Sequence, residues 1–311
     1  MITEHPDVGR DALRDVVTSN WAVGVADLEF LVGVGGDSWS YRAGDLFINV
    51  REALGQRKPW SLRRDVEPPL RAAIALKECC GLEFLLTPTP TISGEPLVRL
   101  GAFAVTVFPY IDGRSSYDDT DEVSCDEETM SWIERLHAAT PEIADLALPS
   151  EDFRPDFADA LRAVVDRATG AIDGPYGPRV AEVLASSRDL ILDSLVRHEA
   201  HGDRLRDTPM EFVVTHAEPA GNVHIANDGR RFLVDLVELK RAPRERDTRD
   251  FPVEARTASV DPDIVTYYNQ GFALSEVTEY GDRLTRRHIG DPEDDRAWHE
   301  LGVYIEALAA F

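Results

Sequence analysis

The sequence predicts an α+β fold in two lobes: a small lobe built on a five-stranded antiparallel sheet, then a larger, mainly helical lobe. Three observations predict it. Up to about residue 112 the apolar residues fall in strand-like runs punctuated by turns, and beyond it they recur at helical spacing. One strand–loop–strand unit, residues 211–236, interrupts the helical part. The 311 residues are enough to bury one large core or two medium ones. Residues 1–112 and 113–311 are the expected lobes.

In chain order, Leu13, Val16, Val17 and Trp21 lie at helical spacing and predict a helix over residues 10–22. Strand-like runs then flank the glycine-rich GVGGDS, with Gly33, Gly35 and Gly36, and a second turn at Ala43–Asp45, making three antiparallel strands. The helix EPPLRAAIALKECC follows. Prolines with a preset φ open it, and Gly81 closes it, because glycine tolerates the left-handed conformation that ends a helix. PLVRLGAFAVTVFPYIDG supplies two more strands, and the acidic run 114–128 reads as a loop or linker. Helices are expected in MSWIERLHAAT, in FADALRAVVDRAT, as one continuous piece over 179–202, and again over 263–284 and 295–311. Asn227–Asp228–Gly229 predicts a hairpin turn.

The formal net charge is −24. Such a surface repels phosphate backbones and anionic bilayers, so neither nucleic acid nor a membrane is an expected partner, and it concentrates cationic small molecules. Solubility alone is the simpler reading of the same number. Cys79, Cys80 and Cys125 make neither a metal-ligand spacing nor a disulfide framework, which suits a reducing compartment, and the adjacent pair reads as buried packing. The eight histidines show no zinc-ligand spacing. With no basic start leading into an apolar run, and no apolar stretch of about 18 residues, a cytoplasmic protein is expected.

The stretch THAEPAGNVHI, residues 215–225, sets a His, a carboxylate two places on and an Asn four places further between apolar residues. That layout suits a phosphoryl-transfer loop, where a carboxylate orients a hydroxyl and oxygen ligands hold a metal. Asp235 follows on the next apolar run. RAPRERD at 241–247, FPYI at 108–111, LHA at 136–138 and IVTYY at 264–268 complete the pattern. Together these pieces resemble the aminoglycoside phosphotransferase family, and within it the spectinomycin phosphotransferases. The likeness covers nearly the whole chain and implies a bilobal, protein-kinase-like fold.

The resemblance implies roles. Glu218 stands where the family has the aspartate that deprotonates the acceptor hydroxyl. Its side chain is longer by one methylene, and a displacement of about 1 Å can cost about 100-fold in rate. His216 precedes it in the loop, where such a histidine hydrogen-bonds neighbouring backbone. Asn222 and Asp235 take the Mg²⁺-ligand positions, with hard oxygen donors. Gly35 and Gly36, Asn49, Arg51, Glu67, Pro109 and Ile111 fall at the ATP or GTP site. Asn49 occupies the family's phosphate-holding lysine position. Arg51 shares its strand face and, like Lys58, is a candidate substitute, with Glu67 as helix partner. Val237 replaces a second carboxylate of the metal strand. Asp263, Glu276, Glu279 and Tyr280 are candidates for an acceptor pocket. Trp39 either stacks on a ligand or covers the sheet.

Three readings follow. The first is an O-phosphotransferase acting on a hydroxyl of a polar, cationic natural product, in antibiotic resistance or biosynthesis. The second is a pseudokinase-like binding partner, or an enzyme reusing the cleft for another reaction. The third is Ser/Thr phosphorylation of a biosynthetic peptide. Singly, Asn222 reads equally as a turn residue and Asp235 as a capping carboxylate.

Overall fold

The computed structural model describes residues 8–32, 38–52, 65–116, 127–249, 251 and 260–311. Helix α1 (Arg10–Trp21) buries Leu13, Val17 and Trp21 against a sheet of β1 (Glu29–Leu31), β2 (Ser38–Ala43), β3 (Leu46–Glu52), β4 (Val98–Leu100) and β5 (Phe103–Pro109). The order is β1-β2-β3-β5-β4 and each pairing is antiparallel. Gly44, at φ +60°, turns β2 into β3. Side chains alternate across a strand, so Ile48, Val50, Val105 and Val107 face the α1 core while Asn49 and Arg51 face the opposite way, beside Thr106 and Ala104 of β5. Trp39 is buried and meets Phe103 edge-on, so it packs the sheet.

Helix α2 (Glu67–Cys80) begins at two prolines and ends at Gly81, φ +64°. Ala72, Ala73 and Leu76 enter a core shared with α3 (Glu127–Ala138), β7 (Val213–Thr215), β8 (Val223–Ala226) and β9 (Arg231–Leu233). The expectation that Cys79 and Cys80 are both buried fails: Cys80 packs against this core and Cys79 is exposed. Adjacent helical residues point about 100° apart, so one of the pair leaves the apolar face.

The larger part holds two small sheets, β6 (Gly113–Ser115)-β8-β9 and β7-β10 (Lys240–Ala242). Asn227–Gly229 turns β8 into β9, with Gly229 at φ +87°. Helices α4 (Ala158–Arg167), α5 (Gly177–Ser186), α6 (Arg188–Arg206), α8 (Pro262–Thr285) and α9 (Pro292–Leu308) close on a second core around Leu161, Val164, Ile191, Leu274 and Leu301. Two expectations are corrected. The single helix over 179–202 is two, broken at Ser187 (φ −98°, ψ 4°), where a serine favours a helix start over a helix interior. Arg114 and Ser115, expected in a loop, pair with Ile225 and His224. Gly33, Gly35, Gly36, Lys58 and Cys125 lie outside the described residues. Among the described residues no helix is long and apolar enough to cross a membrane.

Candidate active site

Strand β7 runs buried into His216, and the chain then turns through Ala217 at φ +97°, a conformation that disfavours a residue with a Cβ. The short helix α7 (Glu245–Thr248), all of it buried, holds this turn. Arg246 donates to Thr215 Oγ1 (2.9 Å) and to the Glu238 carbonyl (3.2 Å). Asp247, fully buried, accepts from the backbone N–H of His216 (2.8 Å) and of Ala217 (2.7 Å) through one oxygen. Its other oxygen lies 2.8 Å from Nε2 of His137 on α3. Burial pushes the Asp247 carboxyl up, but the His137 hydrogen bond and charge and the loop N–H donors overcome it and hold it below the usual carboxylate range.

The rest of the loop is tied at nearly every peptide. Asn222 Nδ2 donates to the Glu218 carbonyl (2.8 Å), Asn222 N to Pro219 O (3.3 Å), and Ser116 Oγ to Ala220 O (3.4 Å). His216 Nε2 donates to Val234 O (2.8 Å), while Nδ1 faces the Glu218 N–H at 3.4 Å. Burial holds this imidazole below its ordinary value, so at neutral pH it is an uncharged loop tie. Val234 N donates to Asn222 O (2.9 Å), which sets Asp235 beside the loop. Asp235 adopts a left-handed conformation (φ 57°, ψ 53°), tolerated by aspartate. With Asn222 Nδ2 committed as a donor, its Oδ1 is the remaining side-chain acceptor. Asn222 and Asp235 each offer side-chain oxygen, the donor type that a hard divalent cation takes.

From β3, Arg51 Nη2 comes within 4.0 Å of Asp235 Oδ1. Asn49 shares its strand face, and its carbonyl accepts from Thr106 Oγ1 (3.4 Å). Glu67 is not joined to Arg51: it pairs with Arg71 of its own helix at 2.7 Å, and Arg71 also bonds Glu95. Pro109 ends β5, and the Ile111 carbonyl accepts from His224 Nε2 (2.9 Å). Val237 packs beside Leu70, Leu97, Ala104 and Phe108, so the position of the missing carboxylate instead seats the small sheet on the larger lobe.

On the other flank Glu218 is half-exposed, and Arg249 Nη2 lies 3.5 Å from its Oε1. The Arg249 guanidinium sits 3.8 Å above the Phe272 ring, which touches Tyr304 at 5.7 Å, and Tyr304 stacks on Tyr280 at 6.2 Å. Burial first, then the charges of Glu276 and Glu300, push the Tyr304 hydroxyl well up; for Tyr280 burial acts with Glu276 and Glu279. Asp263 is not part of this wall. It lies 3.0 Å from His201, 13 residues and about 20 Å along α8 from Glu276. Sequence reasoning assigned no role to His137, Arg246, Asp247 or Arg249. For Arg246 and Asp247 the signal was RERD, residues 244–247, a charged run inside an otherwise matching segment; His137 lies in LHA, and Arg249 stands two places beyond the run.

No family profile matches the chain. Protein StrN of Streptomyces griseus is 28% identical over 294 residues, spanning 89% of this chain and 86% of that protein. Spectinomycin phosphotransferase, solved with ADP and spectinomycin, superimposes with a TM-score of 0.73 at 14% identity, covering 98% of each chain. The choline kinase LicA of Streptococcus pneumoniae gives 0.56 at 14% identity, over 97% of this chain and 99% of that one. The chain is thus similar to small-molecule kinases along nearly its whole length, and its bilobal α+β fold is that of the aminoglycoside phosphotransferases.

Proposed function

We propose that the protein is a nucleotide-dependent O-phosphotransferase acting on a small, cationic hydroxyl compound. The observation that carries this reading is Arg51 of β3 lying 4.0 Å from Asp235. A strand cation thus stands against the candidate oxygen ligand that follows the Glu218 loop, an arrangement consistent with the needs of phosphoryl transfer. Arg51 takes the phosphate-holding part that Asn49 cannot. Asn222 and Asp235 would hold Mg²⁺, which would supply charge neutralisation at the phosphates. Glu218 orients the acceptor hydroxyl and accepts its proton. The Pro109 carbonyl and the Ile111 N–H are the backbone groups this reading assigns to the base of ATP or GTP, the Ile111 carbonyl being committed to His224. Glu276, Glu279 and the Tyr280–Tyr304 stack suit a cationic acceptor, through charge and the negative faces of the rings. Residues 1–112 and 113–311 are, in this reading, the nucleotide-binding and acceptor lobes.

The test is calorimetric titration of Mg·ATP and Mg·GTP into the wild type and Asp235→Ala, followed by ³¹P assay with spectinomycin as the first acceptor. Micromolar binding that disappears in the variant supports the proposal. A folded wild type that binds neither nucleotide overturns it in favour of a pseudokinase-like protein, to which the loss of the lysine at Asn49 already points.

A further inference from the structure

We infer that Arg249 is a positioning residue that fixes the Glu218 carboxylate and so makes a glutamate workable where an aspartate is expected; the inference rests on the phosphotransferase reading above. Two ways exist to accommodate the extra methylene of Glu218: the loop backbone retreats, or the side chain is redirected. The first is closed. Asp247 holds the N–H groups of residues 216 and 217, Asn222 holds the carbonyls of residues 218 and 219, and Ser116 holds that of residue 220. The adjustment falls to the Glu218 side chain, half-exposed and with one more rotatable bond than aspartate.

Arg249 has what is needed to restrain it. Its own side chain is only 7% exposed and lies 3.5 Å from Glu218 Oε1. The guanidinium carbon lies 3.8 Å from the Phe272 ring centroid, and a planar guanidinium held against a ring face is oriented as a lysine ammonium is not. It stands two residues beyond Asp247, so one short segment grips the catalytic turn twice: Asp247 takes the backbone and Arg249 takes the carboxylate. Because Phe272 belongs to α8, the restraint also refers the carboxylate to the aromatic wall proposed for the acceptor.

The experiment is a double-mutant cycle on the full chain with Glu218→Asp and Arg249→Ala. It is read by Mg·ATP turnover with spectinomycin, by ATP hydrolysis without it, and by ¹³C NMR titration of the Glu218 carboxyl. Arg249→Ala is expected to lower kcat about 10- to 100-fold, as a misplacement of about 1 Å does, with KM for ATP within about twofold. In the Glu218→Asp background the same change costs less than about threefold, since the shorter side chain needs no restraint. The Glu218 titration midpoint moves up when the neighbouring cation is removed. Equal costs in both backgrounds, or an unmoved Glu218 titration, overturn the inference. Should the wild type prove inactive, the phosphotransferase reading fails alone, and the NMR titration still decides whether Arg249 holds Glu218. Arg249→Met, which keeps a long chain over Phe272 without the charge, replaces the alanine variant if it does not fold.

Discussion

At the residue scale the site depends on a few side chains whose value lies in what they hold. Asp247 satisfies two loop N–H groups and a buried histidine at once. Asp247→Ala strands all three, and is expected to destabilise the protein by about 3–5 kcal/mol; Asp247→Asn, whose carbonyl still accepts both N–H bonds, costs about half as much. Chemical denaturation measures both. Ala217 sits at φ +97°. Ala217→Gly removes the Cβ clash and is expected to raise stability by about 1 kcal/mol in the same assay, whereas Ala217→Val lowers it. Arg51→Ala deletes the strand cation and should weaken Mg·ATP binding about 10- to 100-fold by calorimetry, corresponding to the roughly 1.5–3 kcal/mol of a charge-assisted hydrogen bond. Glu67→Gln, which disturbs only the pairing with Arg71, should leave that affinity unchanged within about twofold.

At the element scale the short pieces do most to place the site. Helix α7 supplies Arg246, Asp247 and, at its end, Arg249, and its Glu245 accepts the N–H of Asp261, the cap of α8, at 2.9 Å. Four residues therefore set both the turn at His216–Ala217 and the start of a 24-residue helix. The long helices are fixed by ordinary caps. Helix α9 opens with a capping box between Asp291 and Asp294, and Asp294 Oδ2 also accepts from Ile289 and Gly290 (3.1 and 2.8 Å). Asp291→Ala removes one half of the box and is expected to cost about 1 kcal/mol in thermal unfolding, with nucleotide binding untouched.

At the scale of the whole molecule, buried titratable groups make the protein acid-sensitive. His198 is stacked on Tyr267 at 4.3 Å, and burial, with the nearby charge of His201, pushes its imidazole down to about 4. The unfolded chain binds a proton below about pH 6.5 that the folded chain refuses, so stability falls as pH drops from 6.5 towards 4. Glu151 acts in the next window. Burial pushes it up, yet Lys240 at 2.6 Å and Arg246 overcome that and hold it down to about 2. Its contribution is complete above its ordinary 4.5 and is lost as pH falls towards 2. Melting temperature is therefore expected to decline from near pH 6.5 downward, and His198→Phe, which keeps the stack, should flatten the decline between pH 6.5 and 4.5. A net charge of −24 adds self-repulsion, so added salt at pH 7 is expected to raise the melting temperature.

Periodicity and turn chemistry are local, which is why the five strands, Gly81 closing α2, the turn at Asn227–Gly229 and the two long helices α8 and α9 were legible in the residues alone. The spacing of His216, Glu218, Asn222 and Asp235 was legible too, because a loop and the strand after it are neighbours along the chain. What needed the third dimension were relations between distant segments. Arg51 and Asp235 are 184 positions apart in the sequence, and nothing local says that one faces the other. The pairing of β7 with β10 and of β6 with β8, the break at Ser187 and the capture of Glu67 by Arg71 depend likewise on which surfaces pack together. The sequence by itself determined the elements and the residue spacing of the candidate loop, through short-range backbone preference and side-chain alternation. The tertiary structure alone decided that Asp247 and Arg249 grip that loop, because a buried charge is stable only where the fold brings it its partners.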